Sequence, residues 1–226
     1  MKKLILTELV FIFLATTFFV DSPPPGWYQQ VLPVNKTIND LFFTDSLKGW
    51  VVTTGGSNST DTAYILHTID GGNNWSIQKT GIEALDAVQF LNSNTGYVSG
   101  KLSFSTLLSI YKTTDGGINW LTLNNLSGIG PTNICFINVD TGWISDEASG
   151  AGGLYKTTDG GTSWQQQLGS SFIPSRIFFL NKDTGWVICN NYNLLRTTNS
   201  GVNWGQIYNF QDIVIDIFYS SKDTGR

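Results

Sequence analysis

Carboxylates, a single histidine and two thiols are the side chains of this sequence that could do chemistry. Paired carboxylates are the machinery of glycoside hydrolysis, one as acid/base and one as nucleophile or base. Three aspartates, Asp70, Asp115 and Asp159, recur inside one repeated phrase, with Asn199 in the fourth copy. One active site does not need four copies of one turn, so these groups read as structure. The remaining candidates are Glu83, Asp146 and Glu147, and their spacing gives a two-carboxylate hydrolase no support. His67 is the only histidine, and it fills the slot that Lys112, Lys156 and Arg196 hold in later copies. It reads as a solvated strand position rather than a base or ligand. With one histidine and no Cys-x-x-Cys, a zinc site has little support. Cys135 and Cys189 fall at different repeat positions and read as buried, small apolar groups, with a disulfide as the alternative that export would permit. The expectation is no catalytic residue, no metal and no cofactor.

The elements that must position these residues are repeats. Thr68-Ile69-Asp70-Gly71-Gly72-Asn73-Asn74-Trp75 returns as Thr113 to Trp120, Thr157 to Trp164 and, weakened, Thr197 to Trp204. The Trp-to-Trp steps are 45, 44 and 40 residues. A period of that size marks a repeat architecture. A second phrase alternates with the first: Asp45 to Trp50, Asn94 to Tyr97, Asp140 to Trp143, Asp183 to Trp186 and Asp223 to Arg226. An aromatic stands seven residues before each closing position: Phe43, Phe90, Phe136, Phe179 and Tyr219. Asp/Asn-Thr-Gly between apolar runs predicts a tight hairpin whose Gly takes a positive φ.

Each unit divides into four strands, A to D. The first has A at 38–44, B at 49–54, C at 63–68 and D at 75–79. Four short antiparallel strands per 40–45 residues predict an all-β fold, a β-propeller of four-stranded antiparallel blades. Blades are expected near 38–80, 84–125, 131–168 and 175–209, within a propeller domain over 23–226. A partial blade over 213–226 joins an isolated outer strand at 27–32, where Gly26-Trp27-Tyr28-Gln29-Gln30 nearly copies Ser163 to Gln167. The expectation is a truncation of a longer propeller. If the chain is complete, its open edge strands favour pairing with a second copy.

The phrase Thr-x-Asp-Gly-Gly-x-x-Trp resembles the Asp-box, or BNR repeat, Ser/Thr-x-Asp-x-Gly-x-x-Trp. Joined to the aromatic-x5-Gly-Trp phrase, residues 27–226 look most like propellers of the photosystem II stability/assembly factor type, whose units recur in secreted bacterial proteins. The resemblance implies a structural role for Asp70, Gly72, Trp75, Asp115, Gly117, Trp120, Asp159, Gly161, Trp164, Asn199, Gly201 and Trp204. The Asp residues would accept backbone N–H bonds across the C–D hairpin, and the Trp residues would pack between blades. Sialidases also carry Asp-boxes, away from their active sites. A sialidase-like glycosidase needs arginines to grip a carboxylate, and the chain offers only Arg176, Arg196 and Arg226. That alternative would need catalytic groups partly outside this chain. An assembly factor that holds an immature membrane-complex partner is the other alternative.

Of the 226 residues, 41% are hydrophobic and 13% charged, for a net charge of -4. The charged share is about half that of an ordinary soluble domain. No basic run follows Lys3, so nucleic acid is a poor partner. Lys2 and Lys3 precede an apolar stretch, so residues 1–22 read as a secretory signal peptide, with an uncleaved N-terminal anchor as rival. Export would make the protein secreted, periplasmic or cell-surface. The best reading is a non-catalytic binding or assembly scaffold for a protein or glycan. A–B and C–D turns should share one rim, whose short repeated turns read as structure. The B–C and D–A connections share the other. From the Gly-Trp/Tyr aromatic to the phrase Trp there are 25, 23, 21 and 18 residues, and the variation falls mostly in B–C loops. Variable loops on a rigid scaffold carry binding. The expected contacts are Glu83, Lys101, Phe104, Asp146, Glu147, Arg176 and Tyr192.

Overall fold

The computed structural model describes residues 26, 28–55, 62–82, 84–101, 108–123, 131–146, 152–169, 171–189, 192–211, 219–221 and 224–225. Residues 1–31 form one unit and residues 32–226 another. In the first, residues 28–31 are irregular, with Tyr28 and Val31 exposed.

The second unit is built of antiparallel meanders. The first blade runs β1 (Ile38–Phe43), β2 (Gly49–Thr53), β3 (Ala63–Thr68) and β4 (Ser76–Ile82). The second runs β5 (Ala84–Phe90), β6 (Gly96–Lys101), β7 (Leu108–Thr113) and β8 (Leu121–Leu123). The third runs β9 (Pro131–Phe136), β10 (Gly142–Asp146), β11 (Gly153–Thr157) and β12 (Gln165–Leu168). The fourth runs β13 (Pro174–Phe179), β14 (Gly185–Cys189), β15 (Asn193–Thr197) and β16 (Gly205–Asn209). In each sheet the spatial order equals the chain order. A two-stranded sheet of β17 (Tyr219–Ser221) and β18 (Thr224–Gly225) follows. Among the described residues there is no helix, and the architecture is the expected β-propeller of four full blades. The outer strand expected over 27–32 does not form: residues 28–32 are irregular, and Trp27 lies outside the described residues. The signal segment 1–22 and most of 213–226 also lie outside the described residues.

Strands β2, β10 and β14 are buried at every position, because each B strand lies mid-sheet with both faces covered. First-strand contacts link the blades in sequence, β1 to β5, β5 to β9 and β9 to β13. The aromatics of the second phrase hold these joints. Trp50 stacks on Phe90 of the next blade at 3.5 Å between ring centroids, Tyr97 on Phe136 at 3.6 Å and Trp143 on Phe179 at 3.5 Å. The phrase Trp residues meet the same rings edge-on, within one blade: Trp75 on Phe43, Trp120 on Phe90, Trp164 on Phe136 and Trp204 on Phe179. So the inter-blade stacking expected of Trp75, Trp120, Trp164 and Trp204 falls mainly to the A–B aromatics.

The second correction concerns the A–B glycines. Gly49, Gly96, Gly142 and Gly185 do not take a positive φ. Each pairs across the ladder with the Phe of strand A, and a Cβ there would sit within 2.4–2.6 Å of that ring. Glycine is required for room, because the ring lies flat over the backbone.

Candidate functional site

The C–D turns are closed by the repeated phrase. Thr113 Oγ1 donates to Asp115 Oδ1 and accepts from the N–H groups of Asp115 and Gly117. Asp115 Oδ1 also accepts from Asn119 N–H, and Oδ2 from Asn119 Nδ2. Asp70 and Asp159 repeat the pattern with Asn74 and Ser163. Asn199 keeps the Oδ1 bonds, from Thr197 Oγ1 and Asn203 N–H. These bonds favour the charged form. Ser163 above all holds Asp159 down at about 2, while Asn74 lowers Asp70 and Asn119 lowers Asp115. The next backbone N–H ties each C–D turn to the A–B turn of its own blade. Gly71 donates to Leu47 O, Gly116 to Asn94 O, Gly160 to Asp140 O and Ser200 to Asp183 O, at 2.8–2.9 Å. The two turn families therefore share one rim, as their antiparallel order requires.

A row of cations lies over the B-strand aromatics. Lys112 sits over Tyr97, Lys156 over Trp143 and Arg196 over Trp186. Lys112 Nζ donates to Val139 O of the third blade, and Lys156 Nζ to Ser200 O of the fourth. His67, in the same slot, is not solvated as expected. It is half-buried and stacked on Trp50 at 4.7 Å, and burial, aided by Lys48, lowers its pKa below 6.5.

The inner strands present unpaired edges, and polar side chains of the preceding blade satisfy them. Asp40 Oδ2 accepts from Val88 N–H, and Asn39 Nδ2 donates to Leu85 O. Gln89 bonds both N–H and C=O of Phe136. Asn133 Oδ1 accepts from Ile177 N–H. Around these strands lies a depression of about 610 Å³ with walls from all four blades. Its lining includes Phe42, Ile137, Phe178 and Leu180, all half-buried, and Leu41, which is 56% exposed. The counterparts of Leu41, namely Val88, Ile134 and Ile177, are at most 8% exposed. Asn138, Asn181 and Lys182 of the A–B turns also line it. The depression therefore reaches toward the rim that the sequence marks as structural.

The expected loop face is only partly described. Glu83, Phe104 and Glu147 lie outside the described residues, as does the side chain of Lys101, which ends β6. Asp146 is fully buried at the end of β10, paired with Gly153 and Pro131, so it is not an accessible contact. Arg176 is half-buried in β13 and donates to Ser175 O. Tyr192 is 42% exposed with φ 65, and its C=O accepts from Phe210 N–H. These three occupy three different environments on two blades. Sequence reasoning passed over Leu41, Phe42, Ile137, Phe178 and Leu180. A signal for two of them exists: Phe42 and Phe178 share one register position with Gln89 and Cys135, so aromatic alternates with polar or small there. Cys135 and Cys189 are free and buried, and burial pushes them up to about 11 and about 12. Among the described residues, no cluster of three His, Cys, Asp or Glu could hold a metal, and no helix is long and apolar enough to cross a membrane.

The family profile described as photosynthesis system II assembly factor YCF48 matches residues 22–172, more than half of the chain. The chain belongs to this family. Among solved structures it is similar to YCF48 bound to a D1 peptide, with 18% identity, a TM-score of 0.51, and 87% of this chain and 91% of that chain covered. It is also similar to a GH74 enzyme of Niastella koreensis, at 20% identity and TM-score 0.60 over 75% of this chain and 30% of that one. A GH74 xyloglucanase from Xanthomonas campestris gives 12% identity and TM-score 0.58, over 75% and 30%. At these identities the YCF48 and GH74 structures share its fold. No curated protein sequence matches the chain.

Proposed function

We propose that this protein is a non-catalytic scaffold that binds an extended protein segment in the depression between its inner strands. The observation that carries the reading is the lining itself. Its apolar side chains, Leu41, Phe42, Ile137, Phe178 and Leu180, are exposed or half-buried, while its polar groups Asp40, Gln89 and Asn133 are engaged in joining blades. Such a site offers contact area and orientation rather than a reactive group. The repeated carboxylates Asp70, Asp115 and Asp159, and Asp45, are likewise committed to turns. A relative that carries a D1 peptide supports a peptide as ligand. Assembly of a larger complex is one use of such binding. The loop residues Arg176 and Tyr192, and an exported location from the Lys2-Lys3 leader, belong to the same reading as secondary expectations.

The test is a peptide display selection on the protein as it exists, run beside a glycan array and a xyloglucan hydrolysis assay. Selected peptides should lose at least tenfold in affinity on Leu41→Asp or Phe178→Asp, with melting temperature retained. Hydrolysis of a glycan, or peptide binding indifferent to both substitutions, would overturn the proposal.

A further inference from the structure

Three blades stack their B-strand aromatics beneath a lysine or arginine, Lys112, Lys156 or Arg196. The first blade alone puts a titratable imidazole there. His67 lies on Trp50 with an interplanar angle of 24°, and Trp50 in turn lies on Phe90 of the second blade. Trp50 Nε1 donates to Gln78 Oε1 at 3.1 Å, and Gln78 Nε2 donates to Gly116 O of the second blade at 2.9 Å. The imidazole is thus one layer of the joint between the first two blades. It differs from its counterparts in reach. Lys112 and Lys156 extend to carbonyls of the next blade, whereas the buried Nε2 of His67 has no hydrogen-bond partner among the described residues. The groups acting on the ring are Lys48 from the β1–β2 turn and Trp50 from β2, while Ser76 of β4 donates through its Oγ to the backbone O of His67. Lys48 is a like charge for a protonated ring, and the other two do not titrate.

We infer that His67 makes the joint between the first and second blades acid-sensitive, and that protonation of the ring loosens the wall of the depression formed by Asp40, Leu41 and Phe42. A second proton on the ring would place an N–H donor at buried Nε2 with no acceptor, beside Lys48. Lys112 and Lys156 carry their charge past the ring to an acceptor on the next blade, a distance an imidazole does not reach. The wall moves with the joint because Phe42 packs in the same cluster as Trp50, Phe90 and Val88, and because Asp40 is bonded to Val88 N–H. The sign follows from the burial-lowered titration of the ring. The contribution of His67 is present above pH 6.5 and is lost as pH falls through the folded value.

The chain has one histidine, so the imidazole NMR signal of untagged protein is unique. Its midpoint is expected below 6.5. Between pH 7.5 and 5.5 the wild type should lose more melting temperature than His67→Phe, which keeps the stack and cannot titrate. Amide exchange at β1 and β5 should quicken over the same interval. His67→Lys restores the cation of the other blades and should flatten the same profile. A midpoint at or above 6.5, or a pH profile unchanged in His67→Phe, would sink the inference. If the variants do not fold, the wild type decides it: protection of β1 and β5 that stays unchanged as the ring titrates would overturn the inference, and neither readout needs a ligand.

Discussion

Asp115 and Thr113 act as a pair: the hydroxyl accepts from two turn N–H groups and donates its own O–H to the carboxylate. Asn199 shows which part of that role needs charge, since it keeps the bonds to Oδ1 and loses the second acceptor. Asp159→Asn should therefore lower the melting temperature at pH 7 less than Asp159→Ala. The carboxylate also sets an acid limb. Its folded pKa lies near 2 against 3.8 unfolded, so its stabilisation holds above 3.8 and is lost as pH falls toward 2. Acid titration by circular dichroism should show a shallower limb in Asp159→Asn than in the wild type. At the glycines, the second of each pair is the stricter. Gly117 has φ +89, and a Cβ would come within 2.0 Å of Gln78 Oε1 from the neighbouring blade. Gly117→Ala should cost more than about 1 kcal/mol, measured by urea unfolding. Exposed Gly169, with nothing within 4 Å, should tolerate Ala. The first position is looser, since Ser200 occupies it at φ 63.

Between elements, the same rings serve two purposes. Phe136 carries Tyr97 of the preceding blade on its face, Trp164 on its edge and Gly142 beneath it. It is 2% exposed, so Phe136→Ala should cost about 3–5 kcal/mol in urea unfolding. Exposed Ile118, on a turn tip, should change stability by less than about 0.5 kcal/mol when replaced by Ser. The strands were legible in sequence for a local reason. Thr-x-Asp-Gly-Gly-x-x-Trp encodes the C–D turns through hydrogen bonds between residues at most four apart, and those turns set the register of the strands they join. The function of the A–B glycine was not legible. Its demand comes from Phe136 across the ladder, and a sequence does not distinguish a glycine needed for φ from one needed for space. His67 was misread for the same kind of reason: equivalence to Lys112 and Lys156 suggested solvent, but a shorter side chain folds back on Trp50.

At the scale of the whole propeller unit, the depression was the least legible feature. Leu41, Val88, Ile134 and Ile177 follow the same alternation in four inner strands, yet only Leu41 is exposed. Whether an inner-strand side chain faces a neighbour or the depression depends on how successive blades meet. The same dependence governs unfolding. Each blade is joined to the next through its inner strand, so stability approximates a sum of blade terms and nearest-neighbour terms. A cut in one joint should then uncouple the blades on either side rather than lower all of them together. Phe136→Ala removes the stack at the joint of the second and third blades while leaving Trp50 on Phe90 and Trp143 on Phe179. Amide exchange read by mass spectrometry should lose protection first in β6 and β9, with β2 and β14 retaining theirs. Uniform loss across all four blades would mean that the unit folds as one cooperative body, and the additive description would fail.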